Sequence, residues 1–585
     1  GGGCTYGMVE NARSLAEIPG LVPSCQGSAT EFFSLIEKKK NSLPVWDDEL
    51  YYENHRGTYT SQAFVKKYNR KGELLFRNAE LLSVIAFEKT GFEYDLQGLE
   101  KGWKLLLTNQ FHDILPGTSI HEVYEDCLAD YEKMMKIGSD IKYAAISSLK
   151  PLGNSPAVIV WNFNTWTVSS SVSVEIPETA GSIKDALGNK MPSIFYKKDG
   201  KLFIEFIAQD VPSVGYKMFF LSRETPQSLP LVTATETLLE NEILRVTLDS
   251  QGNISGIEDK RSGRQLLTGT GNLLTVFQDK PVHESAWNLE IDINKKFWDL
   301  TVADSITVKE SSPLKGVIRI KRHFGKSVIT QDIILKKNSD MLLFNTVVDW
   351  QETEKTLKAS FPVDIRATEA SYEIAHGAIN RPNHFNTSYD FARFEVSAHK
   401  WADLSQTDYG VSILNDCKYG YDIHGNRMRI TLMRSPNCPD TTADRGINEF
   451  TYAFYPHSNR WQDGKTVNKA FELNMPLEAF YSEGSDNSRA VFEKSFLELS
   501  CQNIIVDALK KAQDGEGFIL RVYESEGRTS QVSLKLCFPK FDLFECDMME
   551  NSEKLLEKGA ACVQFKICPY EVKTFRLIPV RPLPG

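Results

Sequence analysis

Up to about residue 149, apolar residues recur at three- and four-residue steps. Between Thr60 and Lys89, Phe64, Tyr68, Leu75, Ala79, Leu82 and Ala86 fall on one face, the stripe of a helix that buries one side. Upstream, Ser28 and Glu31 have capping-box spacing ahead of Phe32, Phe33, Leu35 and Ile36, which predicts a short helix before the break at Pro44. A further helix fits Asp95 to Ile114, with Leu99, Trp103 and Leu106 in phase and Pro116-Gly117 as its stop. Ser119 and Glu122 repeat the capping-box spacing before Val123, Cys127, Tyr131, Met134 and Met135, and predict a helix running to about Leu149. Long helices joined by short turns make a bundle.

Beyond Pro151 the period shortens to that of strands, first in Ala157 to Asn162 and in the alternation Ser171 to Ile176. Similar segments recur at Leu244 to Leu248, Gly316 to Ile320, Met341 to Phe344 and Gln531 to Leu536, punctuated by turns such as Asp249 to Asn253. Packed antiparallel sheets follow from this pattern. The polar stretches Thr225 to Pro230 and Ser482 to Ser488 read as boundaries. The expected fold class is therefore multidomain α+β, with a helix bundle at 23–149, a small β domain at 150–229, a large β-sandwich at 230–482 and a terminal β module at 483–585.

A formal charge of −10 argues against a phosphate-backbone binder, so nucleic acid is excluded as a partner. The run Lys38 to Lys40 reads as the solvated side of its helix. No stretch reaches the roughly 20 apolar residues of a membrane span, so no membrane partner is expected. Ten cysteines without a CxxC pair indicate neither a zinc ribbon nor a disulfide framework, and point to reduced thiols in the cytoplasm. With Gly1 to Gly3 at its start and no initiator Met or leader, the sequence is expected to begin inside a longer protein.

The segment Asn109 to Thr118 places His112 and Asp113 side by side where an apolar helix ends. A neutral imidazole is a good zinc ligand, and the carboxylate beside it could accept from a sugar hydroxyl or orient a ligand. The plainer alternative is a histidine that suits the helix dipole and an aspartate that bonds turn backbone. Spacing alone leaves both open.

Asn109 to Thr118 resembles the helix-end motif of the family 38 α-mannosidases, and Tyr51 to Ser61 is similar to that family's segment leading into its bundle. The resemblance continues through Gln278 to Pro281 with Trp287, Asn415 to Asp422, Arg434 to Pro436 and Tyr455 to His457, so it covers nearly the whole chain. These segments look closest to the bacterial and cytosolic branch. The resemblance implies a galactose-mutarotase-like fold for the large β domain. It also implies a zinc-dependent, retaining exo-α-mannosidase acting on terminal α-linked mannose of oligosaccharides.

By position in the motif, His112 is similar to a zinc-binding histidine of that family, and Asp113 to the residue that hydrogen-bonds mannose hydroxyls. The resemblance implies one divalent metal, zinc with cobalt as the alternative. The remaining ligands, the nucleophile and the acid/base are expected upstream of Gly1, with residues 1–22 a remnant of the end of the catalytic β/α domain. Residues 1–585 alone are then expected to be inactive.

Arg56, Tyr59 and Arg434 are candidate sugar contacts, weighed against ordinary salt bridging and core packing. Glu53, Trp287 and Asp444 to Gly446 are weaker candidates of the same kind. His55, His376, His384, His399 and His457 show no ligand spacing and are left out of the metal site. A homo-oligomer is compatible with the sequence. The competing function is a non-catalytic carbohydrate-binding β-sandwich protein.

Overall fold

The structure, a computed structural model, describes residues 3–22, 25–150, 156–177, 180–225, 229–484, 491–538 and 540–580. Gly1 and Gly2, and the parts of the expected boundaries at 226–228 and 485–488, lie outside the described residues. The chain divides into two compact units, Gly1–Tyr52 and Glu53–Gly585. In the first, helix α1 (Tyr6–Glu17) is capped by Thr5 and helix α2 (Ala29–Glu37) by the Ser28/Glu31 box. Neither helix buries a residue, and Phe32 and Phe33 stay exposed.

The second unit opens with a bundle of α3 (Ala63–Thr90), α4 (Leu96–Thr108) and α5 (His121–Leu149). The expected stripe on α3 is mostly inside: Leu75, Ala79, Leu82 and Ala86 are buried, and Phe64 and Tyr68 partly so. Gly102 lets α4 lie close against α3, because a Cβ there would collide with the Phe76 ring. Three helix ends differ from the sequence reading. Helix α4 stops at Thr108 rather than Ile114, since 109–117 folds into successive turns that end at Gly117, φ +90°. Ser119 makes no capping box for α5; its hydroxyl donates to the Asp113 carbonyl at 2.7 Å, and Ile120 is the N-cap. Helix α3 starts at Ala63 because Gln62 is left-handed, φ 57°, and the preceding Glu53–Tyr59 is a 3-10 segment.

The β region is built of antiparallel sheets. A six-stranded sheet contains β1 (Leu273–Gln278), β2 (Phe297–Asp299), β3 (Lys355–Pro362), β4 (Val396–Ser397), β5 (Gly420–His424) and β6 (Arg427–Arg434), in the order β2-β1-β3-β6-β5-β4. It faces a nine-stranded sheet: the buried Phe361 of β3 packs on Phe344 and Phe454, with ring centres 5.7 and 5.2 Å away. Side chains alternate along a strand. Leu357, Ala359 and Phe361 therefore fill the sandwich, and Thr356, Lys358, Ser360 and Pro362 line the other face.

That other face meets the bundle at one end. The terminal β module packs on α3 as well, through Leu81, Val84 and Ile85 against Val506, Leu509 and Phe518. Helix α3 is thus the element against which the β modules are fixed.

Candidate functional site

The turns at 109–117 are held from behind. The Lys66 ammonium donates to the carbonyls of Leu115, at 2.9 Å, and of Ser61, at 2.5 Å. Gln110 Nε2 donates to Asn69 Oδ1 and Glu73 Oε1 on α3, at 2.9 and 3.0 Å. Gly117 rests against the Ser61 carbonyl, where a Cβ would not fit. The Asp113 carbonyl accepts from Thr118 N and from the hydroxyls of Thr118, Ser119 and Tyr124.

The side chains at the tip point away from this clamp. His112 and Asp113 are 77% and 49% exposed, with Nε2 and Oδ2 only 3.4 Å apart. Of the Asp113 carboxylate, Oδ1 accepts from the Thr118 hydroxyl at 3.2 Å. An imidazole and a carboxylate of low engagement therefore project together from a fixed backbone, a geometry suited to receiving something from outside.

Arg434, at the end of β6, is placed very differently. It is 1% exposed. Its guanidinium forks onto Asp279, Nε to Oδ2 at 2.6 Å and Nη2 to Oδ1 at 3.2 Å. Nη1 donates to the Ser61 hydroxyl and to the Ala286 carbonyl, both at 3.0 Å, and Nη2 also bonds the Asn288 carbonyl. A guanidinium has five N–H donors in a fixed fork, and all five are used here. The expectation that Arg434 touches sugar is corrected: it has neither exposure nor a donor left, and it ties β6 to the segment before α3.

Gly57 completes this knot. Its N–H donates to the Trp287 carbonyl at 2.8 Å, and a Cβ would collide with the Arg434 guanidinium. Ser61, fully buried, joins knot and loop, since its hydroxyl meets Arg434 while its carbonyl takes Lys66 and abuts Gly117. Ser61, Asp279 and Lys66 carry no functional mark of their own in the sequence. Ser61 and Asp279 do lie inside the quoted motifs, which was the available signal; nothing marked Lys66.

Arg56 is committed to structure too, with Nε and Nη2 on the Ala392 carbonyl at 3.1 and 2.6 Å and its plane 4.3 Å from the Phe394 ring. Tyr59 is half-buried beside Gly57 and Thr60. Asp444 caps α3 from the β region, accepting from Gln62 N and Ala63 N at 2.8 and 2.6 Å, where a carboxylate suits the positive helix end. Burial dominates the local electrostatics. It pushes Lys66 down to about 7, against the pull of Asp444, and Asp444 up to about 6, against its backbone bonds and the cations Lys418 and Lys66.

A structural or catalytic zinc needs three or four protein donors. Among the described residues no group of three or more His, Cys, Asp and Glu side chains is placed to hold a metal. His112 offers one donor and Asp113 a second, so the described residues do not by themselves fit a metal site.

Family models match three segments: the alpha mannosidase middle domain at 53–149, the glycosyl hydrolases family 38 C-terminal domain at 239–442 and the family 38 C-terminal beta sandwich domain at 503–575. Alpha-mannosidase G of Dictyostelium discoideum is 32% identical over 99% of this chain and 57% of its own length. Alpha-mannosidase 2C1 of Homo sapiens is 32% identical over 94% of this chain and 52% of its own. The chain spans about half the length of these curated relatives. The crystal structure of an alpha-mannosidase from Enterococcus faecalis V583 superposes with TM-score 0.78 at 18% identity, over 93% of this chain and 72% of that one, which shows a common fold.

Proposed function

Since the chain belongs to glycosyl hydrolase family 38, whose middle and C-terminal domains it carries, we propose that it serves an exo-α-mannosidase releasing terminal α-linked mannose from oligosaccharides. The observation that carries this reading is the exposed His112–Asp113 pair on a clamped loop within the segment matched to the alpha mannosidase middle domain. Relatives bearing the name alpha-mannosidase at 32% identity support it.

In this proposal the chain supplies part of a site. His112 would give one nitrogen to a divalent metal, zinc or else cobalt, with its other ligands supplied from outside the described residues. A metal so bound would orient sugar hydroxyls and offset charge. Asp113 accepts from mannose hydroxyls and Tyr59 shapes the pocket edge, while Arg56 stays on the Ala392 carbonyl and the Phe394 ring. Arg434 positions this assembly through Ser61 and makes no sugar contact. A retaining reaction needs two carboxyl groups about 5 Å apart, one as nucleophile and one as acid/base. Both are assigned to sequence outside these residues, and the working location is the cytoplasm.

The test is hydrolysis of an aryl α-mannoside by residues 1–585 and by the longest product of the gene's open reading frame. Metal-dependent turnover by the longer product and none by residues 1–585 is expected. Robust turnover by residues 1–585 alone contradicts the assignment of nucleophile and acid/base, and turnover by neither contradicts the enzyme.

A further inference from the structure

A cleft of about 640 Å³ opens on the free face of the six-stranded sheet, away from the Arg434 end. Three rows of side chains cross its floor. Asp299 of β2 pairs with Thr275 of β1, Ser360 of β3 with Arg429 of β6 and Asp422 of β5, and Pro362 with Arg427 and His424. The volume lies within the roughly 300–1,000 Å³ of ligand pockets.

The walls are aromatic. Phe297 and Phe385 are 51% and 46% exposed, so their rings are open to stacking. Phe394 is buried, with the Arg56 guanidinium over its ring, which fixes that wall to the segment before α3. A mixture of open aromatic rings and a few polar groups is the composition of sugar pockets, where a ring face stacks and hydroxyls find partners.

Among the described polar groups, one guanidinium is left unpaired. Arg429 is anchored by Nε to Asp422 at 2.5 Å, with Nη2 3.5 Å from Asn294. Asp422 also takes Lys358 at 2.7 Å, and Lys358 is bonded to Glu395 as well, so the Lys358, Arg429, Asp422 and Glu395 charges balance among themselves. The Arg427 side chain, on the neighbouring row, is exposed at the cleft mouth and makes no hydrogen bond or ion pair among the described residues. The His424 ring lies tilted by 44° with its centre 3.9 Å from that of Phe385, and its buried Nδ1 has no partner among the described residues. Desolvation and the like charge of Arg429 hold the Arg427 guanidinium below its ordinary value, against the pull of Asp422 and Asp299. Arg427 thus keeps its side-chain donors for a ligand, while Asp299 accepts from the Thr275 hydroxyl at 2.7 Å.

We propose that this cleft binds a pyranoside bearing an anionic substituent, carboxylate or phosphate, with the anion at Arg427 and Arg429 and the ring against Phe385 and Phe297. This site does not rest on the His112 reading. No function assigned above uses it.

The test is calorimetric titration of the chain with methyl glucuronide, mannose 6-phosphate, methyl α-mannoside and inorganic phosphate. An anionic sugar is expected to bind at least about tenfold more tightly than the neutral one, the scale of one charge-assisted contact. Whichever anionic sugar binds identifies the anion, and binding of both supports a site open to either. Arg427→Ala is expected to erase the preference, and Phe385→Ala to weaken every sugar, with thermal unfolding unchanged in both. His112→Ala is expected to leave these titrations unaltered, which separates this site from the proposed enzyme. Equal affinity for the neutral sugar, inorganic phosphate binding as tightly as the sugar phosphate, or an Arg427→Ala variant that titrates like the parent would overturn the proposal.

Discussion

Arg434 and His112 belong to neighbouring parts of one network and are treated in opposite ways. Around Arg434 each donor is matched inside the buried interior, and the motif residues Asp279, Gly57 and Ser61 close on it. Around His112 the backbone is matched and Asp113 keeps one hydroxyl contact, while both side chains are largely exposed. Buried charge is tolerable when fully paired, so a saturated arginine is suited to holding parts in register. A ligand must keep its lone pair available. The contrast separates the residues that place the loop from those the loop presents.

Removing the knot gives the largest expected effect. Arg434→Met strands Asp279 as a buried charge and is expected to cost about 3–5 kcal/mol in chemical denaturation. Converting Asp279 to Asn in the same chain should return part of that loss. A loss below about 1 kcal/mol would mean that the network holds little together.

Gly117→Ala comes next. The left-handed backbone and the Ser61 carbonyl both oppose a Cβ, so about 1–3 kcal/mol should be lost. The sharper readout is amide exchange at 109–118, which should speed up while the Arg434 knot stays protected. Uniform loosening of both regions would erase the distinction.

Lys66 gives a smaller, pH-dependent effect. Its value of about 7 in the folded chain lies below the ordinary 10.5, so between these the unfolded chain binds more protons. Stability attributable to Lys66 therefore rises with pH, by up to about 1 kcal/mol per unit just above pH 7. Comparing denaturation of Lys66→Met and parent from pH 7 to 9 should show a shallower slope in the variant; parallel curves would place Lys66 outside the dry interior.

Much of this was legible in the sequence. The stripe on α3 and the strands at Ala157–Asn162 and Leu244–Leu248 follow from periodicity, because burial of one or both faces leaves its period in the chain. The helix ends were not legible, since their partners are remote: Asp444 caps α3 across the domain, and Ser119 is drawn to Asp113 instead of its own helix. The His112 motif was readable as a unit. The burial of Arg434 was not, because pairing with Asp279 and Ser61 depends on tertiary closure, and an arginine is mostly a surface residue.

The most direct measurement is the metal content of the longest open-reading-frame product carrying His112→Ala, beside its parent. About one equivalent of zinc or cobalt is expected in the parent, falling to a small fraction in the variant together with α-mannoside turnover. The Arg434 knot should keep its exchange protection. Unchanged metal stoichiometry in the variant would contradict the account, and would return His112 to an ordinary histidine in an exposed turn.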